Sequence, residues 1–278
     1  MERQTLRCGR FRLALGRPLI MGIVNLTPDS FSGDGVGADT SAAIAHAHAQ
    51  IAAGADLLDL GAESSRPGAP PVAAADEIAR LLPVLRGLRD AEVPVSVDTC
   101  KTEVMQAALA EGAAMINDIA ALQAPGALAA VAASPAAVCL MHMQGEPRTM
   151  QAEPAYGDVV AEVQAFLAAR ARACVAAGIG ADRIVVDPGF GFGKTLAHNL
   201  ALLRRLAGFR DLGFPVLAGL SRKSMLGAIT GQPVTERIHA SVAAAVLAVE
   251  RGAAIVRVHD VAATRDALKI LEAVEQEQ

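Results

Sequence analysis

Short apolar runs alternate with longer Ala-rich stretches along the chain. The apolar runs are flanked by Gly, Pro or polar residues, which is typical of parallel strands that are covered on both faces. The predicted strands are Leu19–Val24, Leu57–Leu60, Val95–Val97, Met115–Asn117, Val138–Met141, Ile184–Val186, Val216–Ala218 and Ile255–Val258. The predicted helices are Ser41–Ala53, Ala75–Leu88, Thr102–Ala110, Pro125–Ala132, Asp158–Ala177, Leu196–Leu206, Glu236–Glu250 and Thr264–Val274.

A weak repeat of helix, Gly-Ala, strand and polar tip supports this order. Gly54, Gly112 and Gly252 each precede Ala just before a strand, where Gly favours the left-handed conformation that ends a helix. Eight such units in about 250 residues match an α/β fold with a closed (β/α)8 TIM barrel, and an open doubly wound sheet is the alternative. We expect a single domain over residues 1–278, with a hairpin in Leu6–Leu15 that caps the barrel floor.

Composition narrows the class of protein. The chain has 278 residues, of which 53% are hydrophobic and 19% charged, and its net charge is −4. A generally basic surface for nucleic acid is therefore not expected, and aromatic residues, at 3%, offer few stacking platforms. The four Cys residues form no CxxC pair, and no apolar run reaches membrane-spanning length. We expect a cytoplasmic protein that acts on small molecules, without a nucleic acid or membrane partner.

Polar residues follow nearly every predicted strand. In a (β/α)8 barrel, catalytic residues lie where strands end and the following loops begin. A lone Asp at such a position is often only a helix cap, but capping alone does not explain the whole set. Carboxylates, carboxamides and cations together suit a ligand with an amide-rich ring and an anionic end. The set is Asn25, Asp59, Glu63, Asp98, Asn117, His142, Asp187, Ser221, Arg222, Lys223, Arg257 and His259.

Two local patterns point to an anion, and a third does not. Arg257 and His259 stand two positions apart at a strand end, so we expect both to point the same way and bind one phosphate group. Ser221–Ser224 is predicted to open a helix, whose N-terminal N–H groups favour anions. The Gly-rich run at 189–195 fails as a P-loop because Pro188 stands where that motif needs Gly. It is predicted to be a loop that allows close backbone approach.

The segments around these residues resemble the dihydropteroate synthase family. Any one of them could arise by chance, but eight in the family's order, between about residues 18 and 272, are specific. The segments are Met21–Ser32, Glu63–Gly68, Ser96–Thr99, Ile116–Ile119, Met141–Gly145, Asp187–Lys194, Ser221–Ser224 and Arg257–Asp260.

The resemblance implies a transferase that condenses 6-hydroxymethyl-7,8-dihydropterin diphosphate with 4-aminobenzoate to give 7,8-dihydropteroate and diphosphate. It implies a pterin site of six residues, which are Asp98, Asn117, Met141, Asp187, Phe192 and Lys223. The diphosphate is expected on Asn25, Arg257 and His259, with Mg²⁺ as cofactor held by Asn25. Catalysis is expected to depend on Asn25, Asp98, Lys223 and Arg257.

The second substrate is expected under two loops, Thr27–Gly35 and Ser64–Pro70. The resemblance implies that 4-aminobenzoate contacts Phe31, Ser65, Arg66, Pro67 and Ser221, that sulfonamides compete with it, and that the protein is a homodimer. The chain departs from the family's pattern on and beside these loops, with Ser65 for Thr, Ala62 for Gly and Asp34 one place later than the usual acid.

Two alternatives remain open at this stage. A methyltetrahydrofolate-dependent methyltransferase barrel shares the ring-binding acids but needs no diphosphate site, and Arg257 with His259 argues against it. A non-catalytic paralogue that binds pterin or diphosphate is disfavoured by the intact Asn25, Asp98 and Lys223.

Overall fold

A computed structural model describes residues 5–26, 40–63, 71–146 and 149–276 of the chain. Its strands, in chain order, are β1 Thr5–Cys8, β2 Phe11–Ala14, β3 Leu19–Asn25, β4 Leu57–Gly61, β5 Val95–Asp98, β6 Met115–Asp118, β7 Ala137–Met141, β8 Ile184–Asp187, β9 Leu217–Ala218 and β10 Ile255–Val258. Each predicted barrel strand is present, with ends that differ by at most one residue.

The barrel is a parallel eight-stranded sheet in the order β8-β7-β6-β5-β4-β3-β10-β9. A parallel bridge between Val186 and Val216 joins the two outer strands of that order, and the Val186 N–H donates to the Pro215 carbonyl at 3.0 Å. The sheet is therefore nearly closed, which confirms the TIM barrel and excludes the open doubly wound sheet. That residues 1–278 form a single domain stays a prediction.

Helices connect the strands and cover the outside of the barrel. They are α1 Thr40–Ala52, α2 Ala74–Gly87, α3 Thr102–Ala110, α4 Ala127–Ala132, α5 Val159–Ala176, α6 Leu196–Arg204, α7 Ser224–Thr230, α8 Ile238–Glu250 and α9 Val261–Gln276. The helix predicted at Leu196–Leu206 ends at Arg204, and a 3₁₀ segment follows at Leu206–Leu212. The last helix begins three residues earlier than predicted, at Val261.

Side chains point alternately outward and inward along the strands, and they form two separate hydrophobic cores. Ile20 and Val24 of β3 pack outward against the helices, as do the matching Val and Ile residues of the other strands. Leu19 and Met21 point inward, where they meet Leu57 and residues at the same level of the other strands. Because successive side chains point to opposite faces of a strand, each strand supplies both cores. The inward positions beyond this apolar layer are the ones that reach the mouth.

The N-terminal hairpin closes the bottom of the barrel, as predicted. β1 and β2 pair in antiparallel fashion, with Leu6 opposite Leu13. Leu6 and Cys8 are fully buried and belong to the inner core together with Met115 and Leu217. The hairpin therefore blocks the floor with apolar side chains and leaves the other end as the entrance.

Candidate active site

The tips of four neighbouring strands lie side by side, and three of them are polar. Asn25 pairs in register with Gly61, Gly61 with Asp98, and Asp98 with Asn117. Gly61 leaves room between its neighbours, because a Cβ atom there would lie 3.9 Å from both Asn25 Oδ1 and Asp98 Oδ2. Three side chains with oxygen atoms thus occupy one inward layer at the mouth of the barrel.

Asp59 lies one inward position below this layer and links β6 to β10, which lie two strands away from β4 on either side. Its side chain is fully buried. Asp59 Oδ2 accepts hydrogen bonds from Asn117 Nδ2 at 3.0 Å and from Arg257 Nε at 2.5 Å. Arg257 Nη2 also donates to Asp98 Oδ2 at 3.0 Å. A buried carboxylate is stable only when it is paired in this way, so Asp59 fixes the positions of an amide and a guanidinium together.

Lys223 approaches the same mouth from the loop after β9. Its ammonium donates to the Phe190 carbonyl oxygen and lies 4.6 Å from the centre of the Phe192 ring. A Cβ atom on Gly219 would lie 4.0 Å from both Lys223 Nζ and Arg257 Cδ, so Gly219 provides the space between the two cations. The ammonium is thus held by a carbonyl dipole and an aromatic face.

Asp187 and Met141 complete the wall at the ends of β8 and β7. The two residues pair in register, and the Asp187 carboxylate accepts a hydrogen bond from the Gly189 N–H at 2.7 Å. Met141 is buried, and its Cγ would lie 3.3 Å from a Cβ atom on Gly189. This side of the mouth therefore presents one acidic and one apolar group.

Burial shifts the pKa values of these groups toward neutral pH. Burial raises the pKa of the Asp98 carboxyl to about 7, although the Arg257 charge opposes that rise. Burial lowers the pKa of the Lys223 ammonium to about 8, which the nearby Asp187 carboxylate opposes. The pKa of Asp187 is also raised by burial. Several groups with shifted pKa values in one concave site are typical of a place where charged ligands bind.

Ser221 and His259 contact one another beside the cations. Ser221 Oγ lies 2.9 Å from His259 Nδ1, and it accepts a hydrogen bond from the His259 N–H at 3.3 Å. The prediction that Ser221 stands at a helix N-terminus is wrong. α7 begins at Ser224, because Arg222 adopts a left-handed φ of 57° and Lys223 is extended. Arg222 itself pairs with Asp260 at 2.7 Å.

A second cluster anchors the end of β4. Lys101 donates to Glu63 and, at 2.8 Å, to Glu77, which is fully buried. Glu63 Oε1 also accepts a hydrogen bond from the Val72 N–H at 2.9 Å, which joins the chain on either side of residues 64–70.

Sequence reasoning missed this cluster and the role of Asp59 as a bridge. The two-residue spacing of Asp59 and Gly61 was a usable signal, since both face inward on β4, and Glu63 follows two residues beyond the end of that strand. The predicted residues Phe31, Ser65, Arg66 and Pro67, with Asp34 and both predicted loops, lie outside the described residues.

Comparison with known proteins identifies close relatives. A family model described as pterin binding enzyme matches residues 21–259. The dihydropteroate synthase of Neisseria meningitidis serogroup B is 52% identical, covering 99% of each chain. The structure of Burkholderia cenocepacia dihydropteroate synthase complexed with 7,8-dihydropteroate matches with a TM-score of 0.90 at 53% identity, covering 99% of this chain and 98% of that one. A Yersinia pestis dihydropteroate synthase with a sulfonamide drug complex matches with a TM-score of 0.95 at 45% identity, covering 98% and 99%.

The hydrogen bond from Arg257 to Asp98 can be tested by the titration of the Asp98 carboxyl. In ¹³C NMR of protein labelled at its Asp carboxyls, we expect Asp98 to titrate near pH 7, because burial outweighs the guanidinium charge. Arg257→Gln removes the charge that lowers this pKa, so the Asp98 titration should move to higher pH. Arg222→Gln is the matched control, since Arg222 pairs with Asp260 instead, and it should leave Asp98 unchanged. Titration of Asp98 near its ordinary value of 3.8 would contradict the geometry.

Proposed function

The chain belongs to the dihydropteroate synthases of the pterin-binding enzyme family, and we propose on that premise that both substrates meet in the barrel mouth. The enzyme condenses 6-hydroxymethyl-7,8-dihydropterin diphosphate with 4-aminobenzoate, giving 7,8-dihydropteroate and diphosphate in folate biosynthesis. The observation that carries the assignment of the site is the network from Asn117 through Asp59 and Arg257 to Asp98. This network supports the proposal because groups that can bind a heterocycle lie beside a cation that can bind an anion.

The pterin ring is proposed to lie among the carboxylates of Asp98 and Asp187, the carboxamide of Asn117 and the ammonium of Lys223. An aminopyrimidinone edge carries both donors and acceptors, and these four groups supply the complementary set. Met141 and Phe192 are proposed as apolar walls of the same site. The position of Asp59 supports this arrangement, because its bond to the Asn117 amide at 3.0 Å fixes which way that amide faces.

The diphosphate is proposed to bind Arg257, His259 and Asn25. A guanidinium has five N–H donors, and the bonds from Arg257 to Asp59 and Asp98 use two of them, so others can serve an anion. Its pKa is raised, because Asp59 and Asp98 outweigh burial, which lowers it, and the group therefore keeps its charge. His259 lies two residues further along the same inward face.

Mg²⁺ is the proposed cofactor, held by Asn25 together with the substrate's diphosphate. The donor chemistry fits, because Asn25 Oδ1 and Asp98 Oδ2 each lie 3.9 Å from the position of a Cβ atom on Gly61, and both are hard oxygen donors. The described ranges contain no group of three or more His, Cys, Asp or Glu that could hold a metal. Mg²⁺ that binds phosphate substrates typically has only a few protein ligands. In such sites the ion would neutralise charge on the departing oxygens.

The reaction needs positioning and charge stabilisation more than a protein nucleophile. The bond between the pterin methylene carbon and the diphosphate oxygen breaks, and its electron pair leaves with diphosphate. The electron-rich ring stabilises positive charge on that carbon until the 4-aminobenzoate nitrogen forms the new C–N bond and then loses a proton. Arg257 and His259 lower the barrier by stabilising the departing charge, while Asp98 and Lys223 hold the ring.

4-Aminobenzoate is proposed to approach from the side of Ser221, together with Phe31, Ser65, Arg66 and Pro67. The hydroxyl of Ser221 can bind the benzoate carboxylate as a single donor. Because Ser221 Oγ contacts His259 Nδ1 at 2.9 Å, the pockets proposed for benzoate and for diphosphate adjoin. Both substrates can therefore be held at once.

We also propose a homodimer in the cytoplasm. Large apolar side chains are exposed on three adjoining helices, with Leu196 and Leu200 on α6, Ile229 on α7 and Leu247 on α8, and a two-fold interface would cover them. The four Cys residues are free thiols, which fits a reducing compartment. No helix in the described part of the chain has both the length and the apolar composition to cross a bilayer.

The direct test is diphosphate release by the purified protein with and without 4-aminobenzoate. We expect release that requires the pterin diphosphate, 4-aminobenzoate and Mg²⁺, and competition between a sulfonamide and 4-aminobenzoate. Binding of pterin without turnover would support the non-catalytic paralogue instead. Turnover that needs neither the diphosphate ester nor Mg²⁺ would support the methyltransferase.

Arg257→Ala tests whether Arg257 binds the diphosphate part of the substrate rather than the pterin ring. We expect the variant to weaken binding of the pterin diphosphate by about a hundredfold, because a charge-assisted contact to phosphate is lost from a buried site. Binding of the free pterin should fall much less, and isothermal titration calorimetry on both ligands measures the difference. Equal losses for the two ligands would argue against a phosphate role for Arg257.

A further inference from the structure

Lys194 is a buried cation for which the proposed reaction has no use. Its side chain is 2% exposed and lies between the loop after β7 and the loop after β8. Lys194 Nζ donates to the carbonyl oxygens of Gly189 and Phe192, both at 3.0 Å, and to that of His142 at 3.2 Å. It also lies 3.0 Å from His142 Nδ1. Burial, and then the Lys194 charge, lowers the pKa of His142 to about 3, so the ring is neutral, and its Nδ1 shares the three N–H groups of Lys194 with the three carbonyls.

The loop that Lys194 holds is the one that holds Lys223. Phe190 supplies the carbonyl that accepts a hydrogen bond from the Lys223 ammonium, and Phe192 supplies the ring beside it. Lys194 binds the carbonyls of Gly189 and Phe192, on either side of Phe190. The loop can therefore not shift without moving both contacts of Lys223.

Two backbones meet at this point with no room for side chains. Gly189 and Gly193 have positive φ angles of 70° and 62°. A Cβ atom on Gly189 would lie 1.9 Å from the His142 carbonyl oxygen, and one on Gly193 would lie 2.3 Å from that of Gln144. Such close approach brings several carbonyl oxygens together, and Lys194 Nζ donates hydrogen bonds to three of them, while burial lowers the pKa of this group to about 7.

We propose that Lys194 is a positioning residue of the pterin site, which joins the loops after β7 and β8 so that Phe190 and Phe192 fix the ammonium of Lys223. The proposal rests on the proposed function for the identity of the ring ligand. Lys194 touches neither substrate in this account and acts through Lys223. An apolar side chain of similar length would remove a donor from all three carbonyls, leaving that of Gly189 with only the Phe192 N–H at 3.1 Å, and the loop would be free to adopt other conformations.

Arg183 offers a matched control at the other end of the same two strands. It is also a buried cation that donates to backbone carbonyls, at 2.8 Å to Ala136 and 2.7 Å to Ser134, just before β7. Arg183 directly precedes β8, on the floor side of the barrel. Arg183→Met therefore removes the same kind of interaction from the same strand pair without touching the mouth.

The test compares Lys194→Met with Arg183→Met by calorimetry, using 6-hydroxymethylpterin and inorganic diphosphate as separate ligands. We expect Lys194→Met to raise the Kd for the pterin by about tenfold or more and the KM for the pterin substrate in parallel, since three buried acceptors lose their donor. Its Kd for diphosphate and its KM for 4-aminobenzoate should stay within about twofold of the unaltered chain. Arg183→Met should lower the melting temperature but leave the Kd for the pterin unchanged.

An unchanged Kd for the pterin in Lys194→Met, or an equal rise in both variants, would overturn the proposal. If the unaltered chain itself binds no pterin, the proposed function fails instead, which separates the two failures. If Lys194→Met does not fold, Tyr156→Phe tests the proposal instead. The Tyr156 hydroxyl donates to the Gly193 carbonyl of the same loop at 2.8 Å. A rise of a few-fold in the Kd for the pterin supports the proposal, and no change contradicts it.

Discussion

The bond of the buried Asp59 carboxylate to Asn117 and Arg257 is the interaction on which the site depends. A carboxylate in the interior of a barrel is unfavourable unless its charge is matched by a cation and its oxygens by donors. Arg257 from β10 matches the charge, and Arg257 and Asn117, on either side of β4, both donate to Oδ2, whereas Oδ1 has no hydrogen-bond partner among the described residues. The geometry of the mouth therefore follows from the requirement to stabilise one charge below it.

The barrel makes this arrangement possible because its inward-facing residues change from apolar to charged between the floor and the mouth. Near the floor they are apolar, as with Leu57 below Asp59 on β4 and Ile255 below Arg257 on β10, and the hairpin residue Leu6 seals them. Two residues further along, the same faces carry charge. The apolar floor supplies burial for stability, and it also keeps water from the polar layer above, which strengthens the electrostatic interactions there.

The repeat of strands and helices could be predicted from the sequence because each parallel strand is a short apolar run ended by a polar residue. Asn25, Asp98, Asn117, Asp187 and Arg257 were found for the same reason, since strand ends of a barrel converge. The partners of Arg257 could not be predicted, because they depend on the stagger between strands that are distant in sequence. The start of α7 at Ser224 was missed, because the left-handed turn at Arg222 leaves no sign in a non-Gly residue.

Lys194 shows a second limit of sequence reasoning. The run from Gly189 to Thr195 was correctly separated from nucleotide-binding loops by its spacing, and close backbone approach was expected there. Which backbone approached, and that Lys194 would join the two, required coordinates. His142, one of the polar residues at the predicted strand ends, is buried, and its Nδ1 lies 3.0 Å from Lys194 Nζ.

The central claim is that Asp59 holds the ring site and the diphosphate site in one unit. Its most direct test is the affinity of Asp59→Asn for free 6-hydroxymethylpterin and, separately, for inorganic diphosphate. Both affinities should fall by about tenfold, because Asn117 and Arg257 lose their common partner. Asp56→Asn, which loses a carboxylate bonded to Arg17 and Arg265 just before the same strand, should change neither affinity. If Asp59→Asn weakens only one ligand, or neither, the two sites are independent and the account is contradicted.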